Sequence, residues 1–117
     1  MSVAELLGIH TYPVKGEPGH DHRTATVGPE GLEGDRRKKA PVHVVAAEDD
    51  RDDLRANLVV SLPAAQLLDA VGSWLRVGEV ALAVTGTARD CPGVYADVTA
   101  PGRVRVGDPV TTGREPA

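Results

Sequence analysis

The single cysteine of the chain, Cys91, lies where the sequence leaves regular structure. It follows the charged pair Arg89–Asp90 and precedes a Pro-Gly sequence, so it is predicted to lie on a loop and not inside an apolar strand. Reactive groups are placed on loops more often than elsewhere, and a neighbouring cation favours the thiolate, which attacks sulfur or binds a soft metal. One cysteine cannot form an internal disulfide. Cys91 is therefore either a packing residue or a reactive thiol.

A second candidate for chemistry is the cationic segment GLEGDRRKKAP, residues 31–41. Four consecutive cations follow a glycine-rich turn there. Backbone N–H groups and guanidinium groups are the donors that hold a phosphate, so the segment is a candidate phosphate site. A solvated loop is the alternative interpretation, since charge runs commonly lie on the surface.

Two further clusters contain residue types that bind metals. The HDH sequence, residues 20–22, puts two imidazoles on one face of a strand, but no spacing adds His10 or His43 as further ligands. The acidic run at residues 48–53 lacks the spaced ligands and central glycine of a calcium loop. We expect structural or solvated roles for both clusters.

Length and composition limit the class of protein. A chain of 117 residues predicts one domain, with a core at about 9–112 and a disordered tail at 113–117. One Trp, two Tyr, no Phe and a net charge of −4 disfavour a nucleic-acid surface. The sequence shows neither a secretory signal nor 18 consecutive apolar residues. We therefore expect a cytoplasmic protein without nucleic-acid or membrane partners.

The elements that position these residues are predicted to be mostly strands. Apolar runs and alternating patterns bounded by Gly or Pro indicate strands at 5–14, 23–27, 42–47, 57–62, 74–78, 79–86, 94–98 and 103–110. Residues 111–117 are predicted to form a frayed tail. The pattern favours a mainly β barrel or sandwich with one or two short helices.

One clear helix is predicted over 63–72, which begins at a proline and ends at a glycine. Its apolar stripe is expected to face the sheet. The stripe consists of Ala64, Leu67, Leu68 and Val71. A further helical turn is possible in the acidic stretch 48–56.

Taken together, several segments resemble the MOSC domain family, found in molybdenum cofactor sulfurases and in mitochondrial amidoxime-reducing components. The core likeness lies in LRANLVV, WLRVGEVALAVTGTARDC and VYADVTAPGRVRVGDPV. The earlier YPVKG and GLEGDRR resemble the barrel segment that precedes the MOSC core in longer relatives, so the likeness runs from Ile9 to Thr112. The resemblance implies a MOSC-like β-barrel that binds the molybdenum-pterin cofactor, molybdopterin, or passes sulfur to it.

The resemblance also implies roles for individual residues. Cys91 occupies the position of the family cysteine that ligates molybdenum or carries sulfur as a persulfide. Lys15 matches the lysine of YPVK, and Arg36 matches the arginine of DR. Arg55 and Asn57 match an RxN pair. In cofactor-binding relatives these four positions contact the pterin or its phosphate.

The sequence also departs from the larger relatives. Cys91 is followed almost at once by Tyr95, and the sector between DRR and VHVVAA is short. A pocket wall is therefore expected to be missing, which favours transient handling of the cofactor over tight binding. The chain has no room for the pyridoxal-phosphate domain of the sulfurases, so no pyridoxal phosphate site is expected.

Three hypotheses follow for the function. The first is a sulfur carrier or cofactor chaperone that works with a cysteine desulfurase or a molybdoenzyme. The second is a small molybdenum-dependent reductase of N-hydroxylated compounds, which needs a partner reductase because the sequence has no flavin, haem or nicotinamide motif. The third is a degenerate binding module. A homodimer through an exposed strand edge such as VYADV is a further possibility.

Overall fold

The protein is described here by a computed structural model, which covers residues 4–36, 40–51, 54–88 and 91–113. Its strands are β1 (Ala4–Thr11), β2 (His20–His22), β3 (Thr24–Gly28), β4 (Gly31–Leu32), β5 (Val42–Ala46), β6 (Leu58–Val60), β7 (Trp74–Val77), β8 (Val80–Thr87), β9 (Val94–Ala100), β10 (Gly102–Arg105) and β11 (Pro109–Gly113). A 3₁₀ turn, Ala47–Asp49, follows β5, and helix α1 (Ala64–Asp69) follows β6. The prediction of a mainly β fold with a short helix is confirmed.

Seven strands close into a barrel in the order β11-β7-β8-β9-β5-β6-β1, because β1 pairs back with β11. Within this barrel β5 and β6 run parallel, whereas their other neighbours are antiparallel. Strand β2 extends the sheet beyond β1, and β10, β3 and β4 form a second sheet. No described helix is long and apolar enough to cross a membrane.

The barrel interior is filled by small aliphatic side chains. Alternate residues of the strands are fully buried, as the spacing of two predicts for Leu75 and Val77 and for Val80, Leu82 and Val84. A smaller cluster lies on the outer face of β5 and β6, where the segment before β6 covers them. It consists of Val45, Leu54, Ala56 and Val59.

Helix α1 faces the barrel with a narrower surface than its sequence predicts. Leu67 and Ala70 are buried, whereas Leu68 and Val71 are 49% and 38% exposed. The expected stripe is thus wrong for Leu68 and Val71. Val71 lies beyond the end of the helix, which spans only Ala64–Asp69. Leu68 lies within it but is rotated by about 100° from the buried Leu67, so it points away from the barrel.

Three further expectations are corrected. Residues 103–110 form two strands in different sheets, because the chain turns at Gly107, whose φ is +100°. Residues 111–113 are not frayed but pair with β7, while 114–117 lie outside the described residues. The VYADV segment offers no free edge, since β9 lies between β8 and β5.

Candidate functional site

The Cys91 thiol is exposed on the loop between β8 and β9, as the sequence predicts. The loop is closed at its base, because the Ala88 N–H donates to the Gly93 carbonyl at 3.0 Å. His43, from β5, ties the loop to the barrel through a 2.9 Å hydrogen bond between Nε2 and the Pro92 carbonyl. A carbonyl only accepts, so Nε2 of His43 carries the proton. The loop therefore holds the thiol at a defined place on the barrel.

Gly93 allows this loop to lie directly against β5. Its φ is +100°, and a Cβ built on it would lie 2.4 Å from the Val44 carbonyl oxygen and 2.9 Å from His43 Nε2. Any other residue would push the loop away from the strand. Gly93 and the buried His43 are thus the two contacts that position the Cys91 loop.

A cavity of about 220 Å³ opens beside Cys91. Ala64 and Leu67 of α1, Thr87 of β8 and Pro92 supply much of its wall. Asp49 is the one charged side chain among the described lining residues. The thiol thus faces a small, mostly apolar space with one carboxylate, and no described cation lines it.

Two of the predicted cations contact Tyr12 instead, Arg55 through its guanidinium and Arg36 through its backbone; with Lys15 we call them the cation group. The Arg55 guanidinium carbon lies 5.1 Å from the centre of the Tyr12 ring, within the range of a cation–π contact. The Arg36 N–H donates to the Tyr12 carbonyl at 3.4 Å. Lys15 is exposed three residues further along the same loop. Tyr12 is therefore the residue that brings Arg36 and Arg55 together.

Asn57 is fully buried, and its side chain makes hydrogen bonds within the fold. Its Oδ1 accepts from the His43 N–H at 3.0 Å. Its Nδ2 donates to the His10 carbonyl at 3.2 Å and to Asp35 Oδ2 at 3.1 Å. The other oxygen of Asp35 accepts from the Tyr12 N–H at 2.8 Å. A direct contact of Asn57 with a cofactor stays a prediction, while its role here is to connect β5, β1 and the loop that carries Arg36.

The strand register separates the cation group from Cys91. Val44 pairs with Leu58 on one side and with Val94 on the other. Arg55 lies before the start of β6, which runs parallel to β5, whereas Cys91 lies before the start of β9, which runs antiparallel to it. The two groups therefore lie towards opposite ends of β5. The resemblance places them around one ligand, but among the described residues that line the cavity at Cys91 none is a cation.

Three contributors to these sites were missed at the level of sequence, namely Tyr12, Asp35 and His43. Tyr12 and Asp35 adjoin the YPVK and DR motifs, which is the signal that could have found them. His43 has no such signal, because its contact with Pro92 exists only after β5 and β9 pair. Of the four-cation run, only Arg36 lies in the described residues.

The HDH sequence forms β2 and cross-links the hairpin with β1. Asp21 Oδ1 and His10 Nδ1 are 2.6 Å apart, and Thr11 Oγ1 and His22 Nε2 are 2.8 Å apart. In the described part of the chain, no three His, Cys, Asp or Glu side chains gather as a metal site would require. His10 and His22 therefore stabilise the hairpin.

We expect the fold to weaken at high pH through Tyr12. Burial raises the pKa of Tyr12 above its usual 10.0, although the Arg55 charge opposes the shift. A raised pKa in the folded state means that stability is present below pH 10 and is lost as pH rises through the folded value. Tyr12→Phe should remove this dependence. Urea unfolding at pH 8 to 11 measures it, and an equal decline in Tyr12→Phe would contradict the assignment.

Comparisons with known proteins show the fold. The chain is similar to YuaD of Bacillus subtilis, with 15% identity and a TM-score of 0.79 over 97% of this chain and 98% of that one. It is also similar to YiiM of Escherichia coli, with 17% identity and a TM-score of 0.68 over 100% of this chain and 72% of that one. For YiiM of Geobacillus stearothermophilus the identity is 13% and the TM-score 0.68, over 95% of this chain and 75% of that one.

These matches are consistent with the MOSC-like β-barrel that the sequence resemblance implies. No family model matches the sequence. The comparison with curated proteins likewise finds no match. At these sequence identities the similarity shows a shared arrangement of strands and does not show a shared activity.

Proposed function

We propose that the protein is a sulfur carrier for molybdenum cofactor chemistry, with Cys91 as the carrier residue. The observation that supports this most directly is the exposed thiol on a loop held by Gly93 and His43. A carrier must meet a donor and then an acceptor, so its sulfur has to be accessible and fixed in position. Both requirements are met by this loop.

The loading step is a thiolate exchange that balances without an added oxidant. The Cys91 thiolate attacks the terminal sulfur of a persulfide, R–S–SH, on a cysteine desulfurase. A new S–S bond forms at Cys91 while the S–S bond of the donor breaks, and the donor leaves as the thiolate R–S⁻. The product, Cys91–S–SH, holds one transferable sulfur atom in the neighbouring cavity.

The described side chains do not fit a molybdenum-pterin cofactor enclosed in one pocket. The described lining of the cavity beside Cys91 contains the Asp49 carboxylate and no cation, so the described residues supply no donor set for a phosphate there. Arg36 and Arg55 are exposed beside Tyr12, towards the other end of β5. We therefore assign Lys15, Arg36 and Arg55 to a transient contact with the anionic phosphate of the acceptor's cofactor, not to permanent binding.

The experiment that tests the carrier function loads the protein with sulfur from a cysteine desulfurase and releases the sulfur with cyanide. We expect close to one releasable sulfur per chain, because the sequence holds one cysteine. Cys91→Ser should release none. The product to measure is thiocyanate, after removal of the desulfurase.

The control is a thermal unfolding curve for Cys91→Ser, which should match that of the parent because the side chain is exposed. Equal thiocyanate from the parent and from Cys91→Ser would contradict the carrier function and favour a binding module. Stoichiometric molybdenum in protein freshly purified from a cofactor-producing host would contradict transient contact. Activity on N-hydroxylated compounds with a partner reductase would then identify the reductase.

A further inference from the structure

A cleft of about 270 Å³ lies beside strand β10, between the β7–β8 and β10–β11 turns. We call it the β10 cleft. Its polar lining consists of Thr24, Glu79, Arg103, Arg105 and Asp108. Glu79 immediately precedes β8, whereas Cys91 lies beyond the other end of that strand. The β10 cleft is therefore separate from the Cys91 cavity by the length of β8.

The two carboxylates of the β10 cleft are directed at the backbone of β10. Glu79 Oε1 accepts from the Arg103 N–H at 3.3 Å, and Asp108 Oδ2 accepts from the Arg105 N–H at 2.8 Å. Strand β10 is at the edge of its sheet, so these N–H groups have no neighbouring strand to bind. The carboxylates satisfy them instead.

Among the described residues the guanidinium groups of Arg103 and Arg105 form no salt bridge, although both share the β10 cleft with the two carboxylates. They are two residues apart on one strand, so they project from the same face with Cα atoms about 7 Å apart. Thr24 pairs with Arg105 across the ladder and adds a hydroxyl to the same space.

We propose that the β10 cleft binds a small, soluble phosphate-bearing ligand. A phosphate offers enough oxygens for two guanidinium forks and a hydroxyl, whereas one fork already satisfies a carboxylate. The volume is below that of pockets for drug-sized ligands, so the ligand is compact, such as a phosphate monoester or a diphosphate. The backbone N–H groups offset part of the negative charge of Glu79 and Asp108. This site is independent of the sulfur-carrier proposal.

The test is a titration of ¹⁵N-labelled protein with pyrophosphate and with glycerol phosphate, at constant ionic strength. We expect saturable shifts of the backbone amides of Thr24, Arg103 and Arg105. Arg103→Gln and Arg105→Gln should each weaken binding roughly tenfold, as expected for the loss of a hydrogen bond between charged groups. Arg76→Gln is the matched control, because Arg76 is exposed on β7 and does not line the β10 cleft.

Several results would overturn the proposal. Shifts that sodium chloride reproduces at the same ionic strength would show charge screening without a site. An equal loss of affinity in Arg76→Gln would show attraction to the whole surface. If the protein sedimented with phosphatidate vesicles but did not bind glycerol phosphate saturably, the bound phosphate would belong to a lipid, which would contradict a soluble ligand. Cys91→Ser should leave pyrophosphate binding unchanged, so failure here is distinguishable from failure of the carrier function.

Discussion

Asn57→Ala is expected to destabilise the protein by about 3–5 kcal/mol, since it leaves buried polar groups without partners. The Asn57 side chain bonds the His43 N–H, the His10 carbonyl and the Asp35 carboxylate. The alanine side chain can replace none of these three bonds. Urea unfolding at pH 7, followed by tryptophan fluorescence, measures the loss.

Gln66→Ala is the control for removal of an amide, because Gln66 is exposed on α1. It should change the free energy of unfolding by less than about 0.5 kcal/mol. If Asn57→Ala lost no more than Gln66→Ala, the hydrogen-bond network would not stabilise the fold.

Gly93→Ala should displace the Cys91 loop and destabilise the protein by about 2–4 kcal/mol, from backbone strain and overlap together. The new Cβ would lie 2.4 Å from the Val44 carbonyl oxygen, and the backbone has φ +100°. The loop must move outwards to relieve this contact, which breaks the bond from His43 to Pro92. Two measurements apply, namely the urea midpoint and the amount of sulfur that a cysteine desulfurase loads on Cys91.

Gly86→Ala provides the matched control. Gly86 is in the neighbouring strand β8, its φ is not positive, and no heavy atom lies within 4 Å of its built Cβ. This variant should keep both the parent stability and the parent loading. Unchanged loading in Gly93→Ala, despite lower stability, would show that a fixed loop is not needed for the carrier function.

The sequence by itself determined most of the barrel strands and the aliphatic nature of the core. In segments such as 74–78 and 79–86 apolar residues alternate with other residues, which is typical of a strand with one buried face. Strands β7 and β8 were therefore predictable. The loop position of Cys91 was also predictable from its neighbours in the sequence, because Pro92 and Gly93 interrupt a strand. These features depend on neighbours in the chain, and the sequence shows those neighbours directly.

Only the tertiary structure decided which of these residues meet. The parallel pairing of β5 with β6, beside antiparallel β9, directs Arg55 and Cys91 towards opposite ends of one strand. The same pairing lets His43 reach Pro92. The sequence could not show that Arg103 and Arg105 form no salt bridge with another described residue, or that Glu79 and Asp108 bind the backbone of β10. Such contacts join distant segments and arise from barrel closure, which no local pattern encodes.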